Sequence, residues 1–272
     1  MPIEPAASGK SFEWDAQDYA RNSRMQEEYG RKQLATLDLT GNEAVLDIGC
    51  GDGKLTAALA QKVRRGRVVG IDSSPQMIAL ARQTHQPFHP NLTFEIIDAT
   101  ALPFREEFHL VFSTSALHWV KDHLAVLQGI RRALKPRGRM HLTFAARGTL
   151  SGFAAVIAPL LEEAAWALYF RGFEIPYGFY GTEEYGPWLA QLGFVVERLE
   201  LIHRDVTHQG REGFEGWLRT TGMPYIHRVE PEERQAFIDA IMDRYLEQHP
   251  ADSQGLIHVA MVNLLVKATK KD

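Results

Sequence analysis

The chain of 272 residues holds a single cysteine, Cys50. That excludes an internal disulfide framework and a paired-cysteine metal site, and it fits a reducing, cytoplasmic setting. An excess of basic charge is also missing. Lys and Arg number 30 against 34 Asp and Glu, a net charge of −4, and the pI is near 6.3. No global field therefore draws the protein to nucleic acid or anionic lipid. The opening stretch MPIEPAASGKSFEWD has no apolar core and carries Glu4 and Glu13, so a signal peptide is not expected. The most apolar stretch, 153–170, contains Pro159, Glu162 and Glu163. A membrane span of ~20 apolar residues would tolerate that combination poorly, and the stretch reads as a buried or lid helix. Internal repeats and low-complexity runs are absent. What is present is 45% hydrophobic and 24% charged, ordinary globular composition. The length suits one α/β domain with insertions, or two small domains.

Apolar periodicity predicts a helix over 12–37, carrying Tyr19, Met25, Tyr29 and Leu34 at roughly helical spacing. A short apolar strand over 45–49 stops at glycines, and a helix over 54–63 follows. A second strand, 68–71, ends at Asp72. Ser74 and Pro75 then read as the cap and first turn of a helix. Strands over 92–97, 108–112 and 140–144 and a helix over 122–134 continue the alternation. Alternating strands and helices predict a doubly wound α/β fold with a mostly parallel sheet. Such sheets bind ligands just beyond the C-terminal strand ends. Farther on, a helix is expected over 150–171, a turn-rich aromatic link over 176–181, a helix over 182–192, and long strands over 194–202 and 256–266. The helical segment 207–254 lies between the last two strands. It cannot sit within the sheet layer and is expected to cap the strand ends.

The densest motif is VLDIGCGDG, residues 45–53, where a strand delivers the chain to Gly49, Gly51 and Gly53 and a helix begins at once. Glycines there allow unusual backbone angles and close approach of a ligand to the main chain. The spacing departs from the dinucleotide fingerprint G-x-G-x-x-G. Asp47 is an unusual acid within an apolar run. Asp72 ends the next strand, where a carboxylate can accept from a ribose diol; it could equally cap the following helix. Asp98, followed by Ala99, repeats the arrangement on the third strand, and it also suits a plain turn.

The series VLDIGCGDG, GIDSSPQMI, IIDATALPF and LVFSTSALHWV resembles the class I S-adenosylmethionine-dependent methyltransferases over residues 40–145. The resemblance implies a Rossmann-like, seven-stranded sheet and S-adenosyl-L-methionine as cofactor. It implies that Asp47, Gly49, Gly51 and Gly53 hold the methionine part, that Asp72 with Ser73 holds the ribose, and that Asp98 and Ala99 flank the adenine. Ser113 joins this cofactor-binding set. Three segments are then expected: N-terminal cap helices over 1–39; a core over 40–206 and 255–272 with a lid helix near 150–171; and a cap insertion over 207–254.

The finer resemblance is to small-molecule carboxylate methyltransferases: the trans-aconitate, juvenile hormone acid and malonyl-carrier-protein enzymes. It rests on Tyr19, Ser23 and Gln26 in the first helix, on Leu117-His118-Trp119-Val120, and on the late insertion. It implies that Gln26, His118 and Trp119 position the acceptor, with Tyr19 beside them in the substrate site. His118 and Trp119 could instead be ordinary core residues. The expected partner is a small molecule, with no role for nucleic acid, membrane or metal. A carboxylate acceptor is already ionised at neutral pH and needs no base. A phenol, amine or carbon acceptor would need one, with a rate rising through a histidine-like pKa near ~6.5. A nicotinamide oxidoreductase and a cofactor-binding protein without turnover are the readings from other classes.

Overall fold

Five consecutive buried residues form β1, Ala44–Ile48, a strand whose two apolar faces both need cover. It pairs in parallel with β2, Arg67–Asp72, on one side and β4, Phe108–Thr114, on the other. β3, Leu92–Ile96, extends the sheet beyond β2, and β5, Leu134–Ala145, extends it beyond β4. β6, Phe194–Gln209, and β7, Leu256–Lys270, complete it. β7 runs antiparallel to both of its neighbours. The order is β3-β2-β1-β4-β5-β7-β6, the mostly parallel α/β arrangement that the alternation predicts, with the seven strands that the resemblance implies. The computed structural model describes residues 24–272; Tyr19 and the first half of the helix expected over 12–37 lie outside the described residues.

Helices cover both faces of the sheet. On one side α1, Arg24–Ala35, α2, Lys54–Lys62, and α3, Pro75–His85, bring Leu34, Leu59 and Ile78 against Val45, Phe94 and Phe112. On the other, α4, His123–Ala133, and α6, Thr182–Gln191, bury Leu127, Ile130, Tyr185 and Leu189 against β5 and β7. α3 opens as its sequence indicates: Ser74 Oγ accepts from Met77 N–H and Pro75 fills the first turn.

The last two strands are longer than the apolar runs predict. β5 ends at the pair Ala145–Asn263, so the earlier part of β7 pairs with β6 alone. This two-stranded ribbon projects past the sheet. A ribbon buried by nothing is marginal in water, and helices supply the cover. α7, Gly210–Thr221, α8, Met223–Ile226, and α9, Arg234–Gln248, join the two strands. Trp217, Phe237, Ile241 and Tyr245 from them form a second core with Ile257 and Val259 of the ribbon.

The helix expected over 150–171 is shorter. α5, Ser151–Leu161, closes two residues after Pro159, whose nitrogen has no proton to donate. The chain continues in turns, such as Trp166 N–H to the Glu163 carbonyl at 2.8 Å. Phe153, Val156 and Leu160 pack into the second core with α7 and α9. No helix among the described residues is long and apolar enough to cross a membrane.

Candidate active site

A cavity of about 440 Å³ opens beyond the C-terminal ends of the parallel strands. Because adjacent strands contribute adjacent wall segments, its lining follows the strand order. Asp98 and Ala99 follow β3, Asp72 and Ser73 end β2, and Gly49 and Gly51 follow β1. Ser115 to Trp119 follow β4, Ala145 ends β5, and Asn263 of β7 and Arg204 of β6 close the far end.

The β1 turn is built by glycine. Gly49, Gly51 and Gly53 all have positive φ, the left-handed region that a side chain disfavours. A Cβ on Gly49 would stand 2.1 Å from the Ala116 Cβ, in the loop after β4. Gly53 sits at a packing contact. It does not line the cavity. A Cβ there would meet the Phe94 ring at 2.7 Å and Ala81 at 2.9 Å, so this glycine lets α2 pack against β3 and α3. Asp72 ties the turn down: Oδ2 accepts from Gly51 N–H at 3.0 Å and Oδ1 from Ser74 N–H at 2.9 Å. Each oxygen keeps a lone pair for a ligand. Asp98 Oδ1 accepts from the N–H and hydroxyl of Thr100 at 2.8 and 2.7 Å, so it is a turn residue as well as a wall of the cavity.

Asp47 lies behind the turn, in a side pocket of about 40 Å³ that it shares with Gln26, Glu27, Asp52 and Lys54. It is 3% exposed and accepts from Thr56 Oγ1 at 2.7 Å. Burial pushes its pKa up to about 7 against the Thr56 bond, and nearby Asp72 adds to the rise. The same surroundings push the buried Cys50 thiol well above its ordinary range, so it is a neutral filler of the turn. Ser113 lies outside both cavities. Its hydroxyl donates to the Ile48 carbonyl at 2.8 Å and fastens β4 to β1. Ser115, two residues on, lines the cavity with φ 56°, a backbone position that is strained for a serine.

Gln26, in the first turn of α1, lines both cavities. Its Oε1 is buried without a hydrogen-bond partner. The short helix Leu117–Trp119 brings His118 and Trp119 to the same wall. His118 Nδ1 is also buried and unpartnered. Burial, reinforced by His123, pushes the His118 pKa down to about 3. His118 is thus a neutral imidazole at physiological pH, one nitrogen a donor and the other an acceptor. Its place is set from behind. His123 Nε2–H donates to the Leu117 carbonyl at 2.9 Å, and Nδ1 accepts from the Tyr185 hydroxyl at 2.5 Å. Both bonds suit a neutral ring, in keeping with a His123 pKa lowered by burial to about 4.

The aromatic link over 176–181 packs on this turn. Gly178 N–H donates to the His118 carbonyl at 2.9 Å. Tyr177 meets Trp119 at 4.9 Å between centroids and donates its hydroxyl to the Thr221 carbonyl of α7 at 2.8 Å. The link therefore couples the His118-Trp119 turn to the cap. Sequence reasoning missed Arg204 and Asn263. The one available signal was alternation: Arg204 with Val206, and Met261 with Asn263, stand two apart and share a face of the β6–β7 ribbon.

Comparison with known proteins adds five findings. Residues 45–138 match a family described as "Methyltransferase domain". An uncharacterized methyltransferase of Schizosaccharomyces pombe is 32% identical over 220 residues, 79% of this chain and 82% of that protein. The trans-aconitate 2-methyltransferase of Shigella flexneri serotype 5b is 28% identical over 265 residues, 96% of this chain and 99% of that one. Among solved structures, the YcgJ protein of Bacillus subtilis aligns with a TM-score of 0.63 at 18% identity, over 90% of this chain and 99% of that chain. The geranyl diphosphate C-methyltransferase of Streptomyces coelicolor A3(2), solved with S-adenosyl-L-homocysteine, aligns with a TM-score of 0.54 at 15% identity, over 99% of this chain and 90% of that chain.

Proposed function

The chain belongs to the class I S-adenosylmethionine-dependent methyltransferases, and from that premise we propose that it methylates a carboxylate oxygen of a small molecule. His118 carries this reading. It is the one histidine lining the cavity among the described residues, and no tyrosine or cysteine joins it there. With its pKa down to about 3, it is a feeble proton acceptor. Lys121, another lining residue, is paired with Glu174 at 3.1 Å. The wall's carboxylates are engaged by backbone N–H groups, Asp72 by Gly51 and Ser74, Asp98 by Thr100 and Asp122 by Ala125, so an acceptor that must lose a proton finds no base in the wall that is not already committed. A carboxylate arrives ionised. The trans-aconitate 2-methyltransferase likeness points the same way.

The residues present fit the cofactor. The lone pairs of Asp72 suit a ribose diol; in the side pocket Lys54 already pairs with Asp52 at 2.9 Å, which leaves the carboxyl of Asp47 to take an ammonium group. Bound there, S-adenosylmethionine supplies a methyl group made electrophilic by its sulfonium. Gln26, with its amide turned to present the NH2 group, and His118, as the Nδ1–H tautomer, donate to the acceptor carboxylate from the two buried positions that have no partner within the protein. Trp119 gives an apolar wall that limits its tilt. A carboxylate oxygen held in line with that methyl group would take it up as a methyl ester, and these side chains would have no proton to move. Alignment of two held reactants can supply ~7–11 kcal/mol, which is the work assigned to these side chains and to the cap that excludes water. The test is a methyl-label screen against a small-molecule extract. A labelled product cleaved by mild alkali supports an ester; an alkali-stable product overturns the carboxylate reading and leaves the methyltransferase intact.

A further inference from the structure

The acceptor end of the cavity holds a charged group that the transfer step does not use. Arg204 lines it from β6. Its guanidinium lies 3.9 Å from the centroid of the Tyr29 ring. That ring is fixed in turn, since the Tyr29 hydroxyl hydrogen-bonds to Thr143 Oγ1 at 3.0 Å. One face of the guanidinium is therefore occupied, while its N–H edge has no carboxylate within ion-pair distance among the described residues. Lys121, the other lining cation, has its partner in Glu174. An arginine fork is built to hold an oxyanion with two donors.

A second polar group stands on the same face. Arg204 pairs with Met261 across the ribbon, and Asn263 is two residues farther along β7. Asn263 is 3% exposed, and its Oδ1 is buried without a partner. The amide, oriented either way, brings a donor and an acceptor to the cavity. Val206, Met261 and Trp217 make the surrounding wall apolar, and a charge-assisted bond gains strength in such surroundings. Burial alone lowers the Arg204 pKa, so an anion placed there restores what desolvation costs.

Position decides which oxyanion this is. β6 stands three strands from β4, whose end carries His118. At ~4.8 Å per strand the two backbones are roughly 14 Å apart before their side chains reach inward. A guanidinium on the reacting carboxylate would also damp its nucleophilicity. We propose that Arg204, with Asn263 beside it, binds a second anionic group of the acceptor, distal to the oxygen that is methylated. This inference rests on the carboxylate reading above and adds to it. The acceptor is an acid with two or more anionic groups, and one of them is presented to the cofactor while the other is anchored. The product is a monoester that keeps a negative charge.

The experiment uses methyl-labelled S-adenosylmethionine, the whole chain and a small-molecule extract. The labelled product is applied to an anion exchanger at pH 7, before and after mild alkali. Label that is retained, and then released by alkali, is the expected result. Label that alkali releases but the exchanger does not retain overturns the Arg204 inference and leaves the carboxylate reading standing. Alkali-stable label overturns the carboxylate reading, and this inference with it. With the acid in hand, Arg204→Gln should raise its KM by ~10- to 100-fold, with kcat changed much less and S-adenosylhomocysteine affinity kept. Arg204→Lys should recover part of the loss. The half-amide of the acid, which lacks the distal charge, should bind wild type and Arg204→Gln alike. An unchanged KM in Arg204→Gln, with cofactor still bound, overturns the assignment.

Discussion

The N–H of Gly51 donates to Oδ2 of Asp72 at 3.0 Å. The carboxylate that ends β2 therefore holds the glycine turn that ends β1, and both line the cavity. Asp72→Ala removes a proposed ribose acceptor and frees the turn. Each lost charge-assisted bond is worth ~1.5–3 kcal/mol. S-adenosylhomocysteine affinity, measured by calorimetry, should fall at least ~10-fold in a variant that remains folded. Unaltered affinity would remove Asp72 from the cofactor site.

Asp47 predicts a proton coupled to cofactor binding. With a pKa of about 7, it is half protonated near neutrality in the free protein. An ammonium group in the side pocket favours the ionised form. Binding should release a proton around pH 6–7, and affinity should rise with pH through about 7 and then level off. Calorimetry in buffers of different ionisation enthalpy reads this release directly. Asp47→Asn keeps an acceptor for Thr56 and should abolish it. The sign for stability is opposite. The folded state holds its proton between about pH 4 and 7 while the unfolded state does not, so ionisation costs stability as pH rises. Asp47→Asn should therefore be more stable than wild type at pH 8, by up to ~4 kcal/mol, while binding cofactor less well.

The cofactor half of the cavity was legible in the sequence because its signals are local. A strand, its glycines and the acid at the next strand end fall within residues 45–72, and the short apolar runs that stop at them place them at strand ends. The acceptor half was not, because distant segments assemble it. Arg204 and Asn263 meet through the β6–β7 register, which turn-free strands do not declare. The strand end also separates Ser113 from Ser115: Ser113 lies within β4 with its hydroxyl spent on the Ile48 carbonyl, while Ser115 stands just past the strand, at positive φ, in the cavity wall. The helix beginning near residue 150 was over-extended because its apolar content continues past Leu161, where the helical backbone stops.

Gly178 predicts a defect in acceptor placement without loss of cofactor. A Cβ there would stand 2.0 Å from the Val120 carbonyl oxygen and 3.0 Å from His123 Nε2. Gly178→Ala must push the link away from the His118-Trp119 turn. The expected result is a drop in kcat/KM of ~10-fold or more, since displacements of about 1 Å are costly in aligned sites. S-adenosylhomocysteine affinity should change little. Equal loss of cofactor binding would mean that the link supports the whole sheet edge instead.

Buried histidines predict acid lability. His118 is held down to about 3, and His123, His141 and His208 to about 4, each by burial. In the unfolded chain they titrate near ~6.5. Between about pH 6.5 and 4 the unfolded state binds the extra protons, so stability is full above 6.5 and is lost as pH falls. Asp47 opposes this with the reverse sign, but it is one group against four. Urea midpoints should decline from pH 7 to pH 5, and a constant midpoint would contradict the burial of these rings.

The last prediction concerns the pH dependence of turnover, where His118 separates two kinds of acceptor. A base near ~6.5 would give a rate that climbs about tenfold per pH unit below its pKa. His118 at about 3 cannot supply that limb, so the histidine-like profile expected of a phenol or amine acceptor has no source in the described wall. For a carboxylate, kcat at saturating cofactor should be flat from pH 6 to 8. Saturation matters because Asp47 makes cofactor affinity vary over the same range. His118→Ala should lower kcat/KM by roughly 5- to 100-fold, the loss of a positioning hydrogen bond worth ~1–3 kcal/mol, and leave the profile flat. His118→Gln, which keeps a donor and an acceptor, should recover part of the activity. A wild-type profile that rises through pH 6.5 and is flattened by His118→Ala would show His118 acting as a base, and would replace the carboxylate with an acceptor that must be deprotonated.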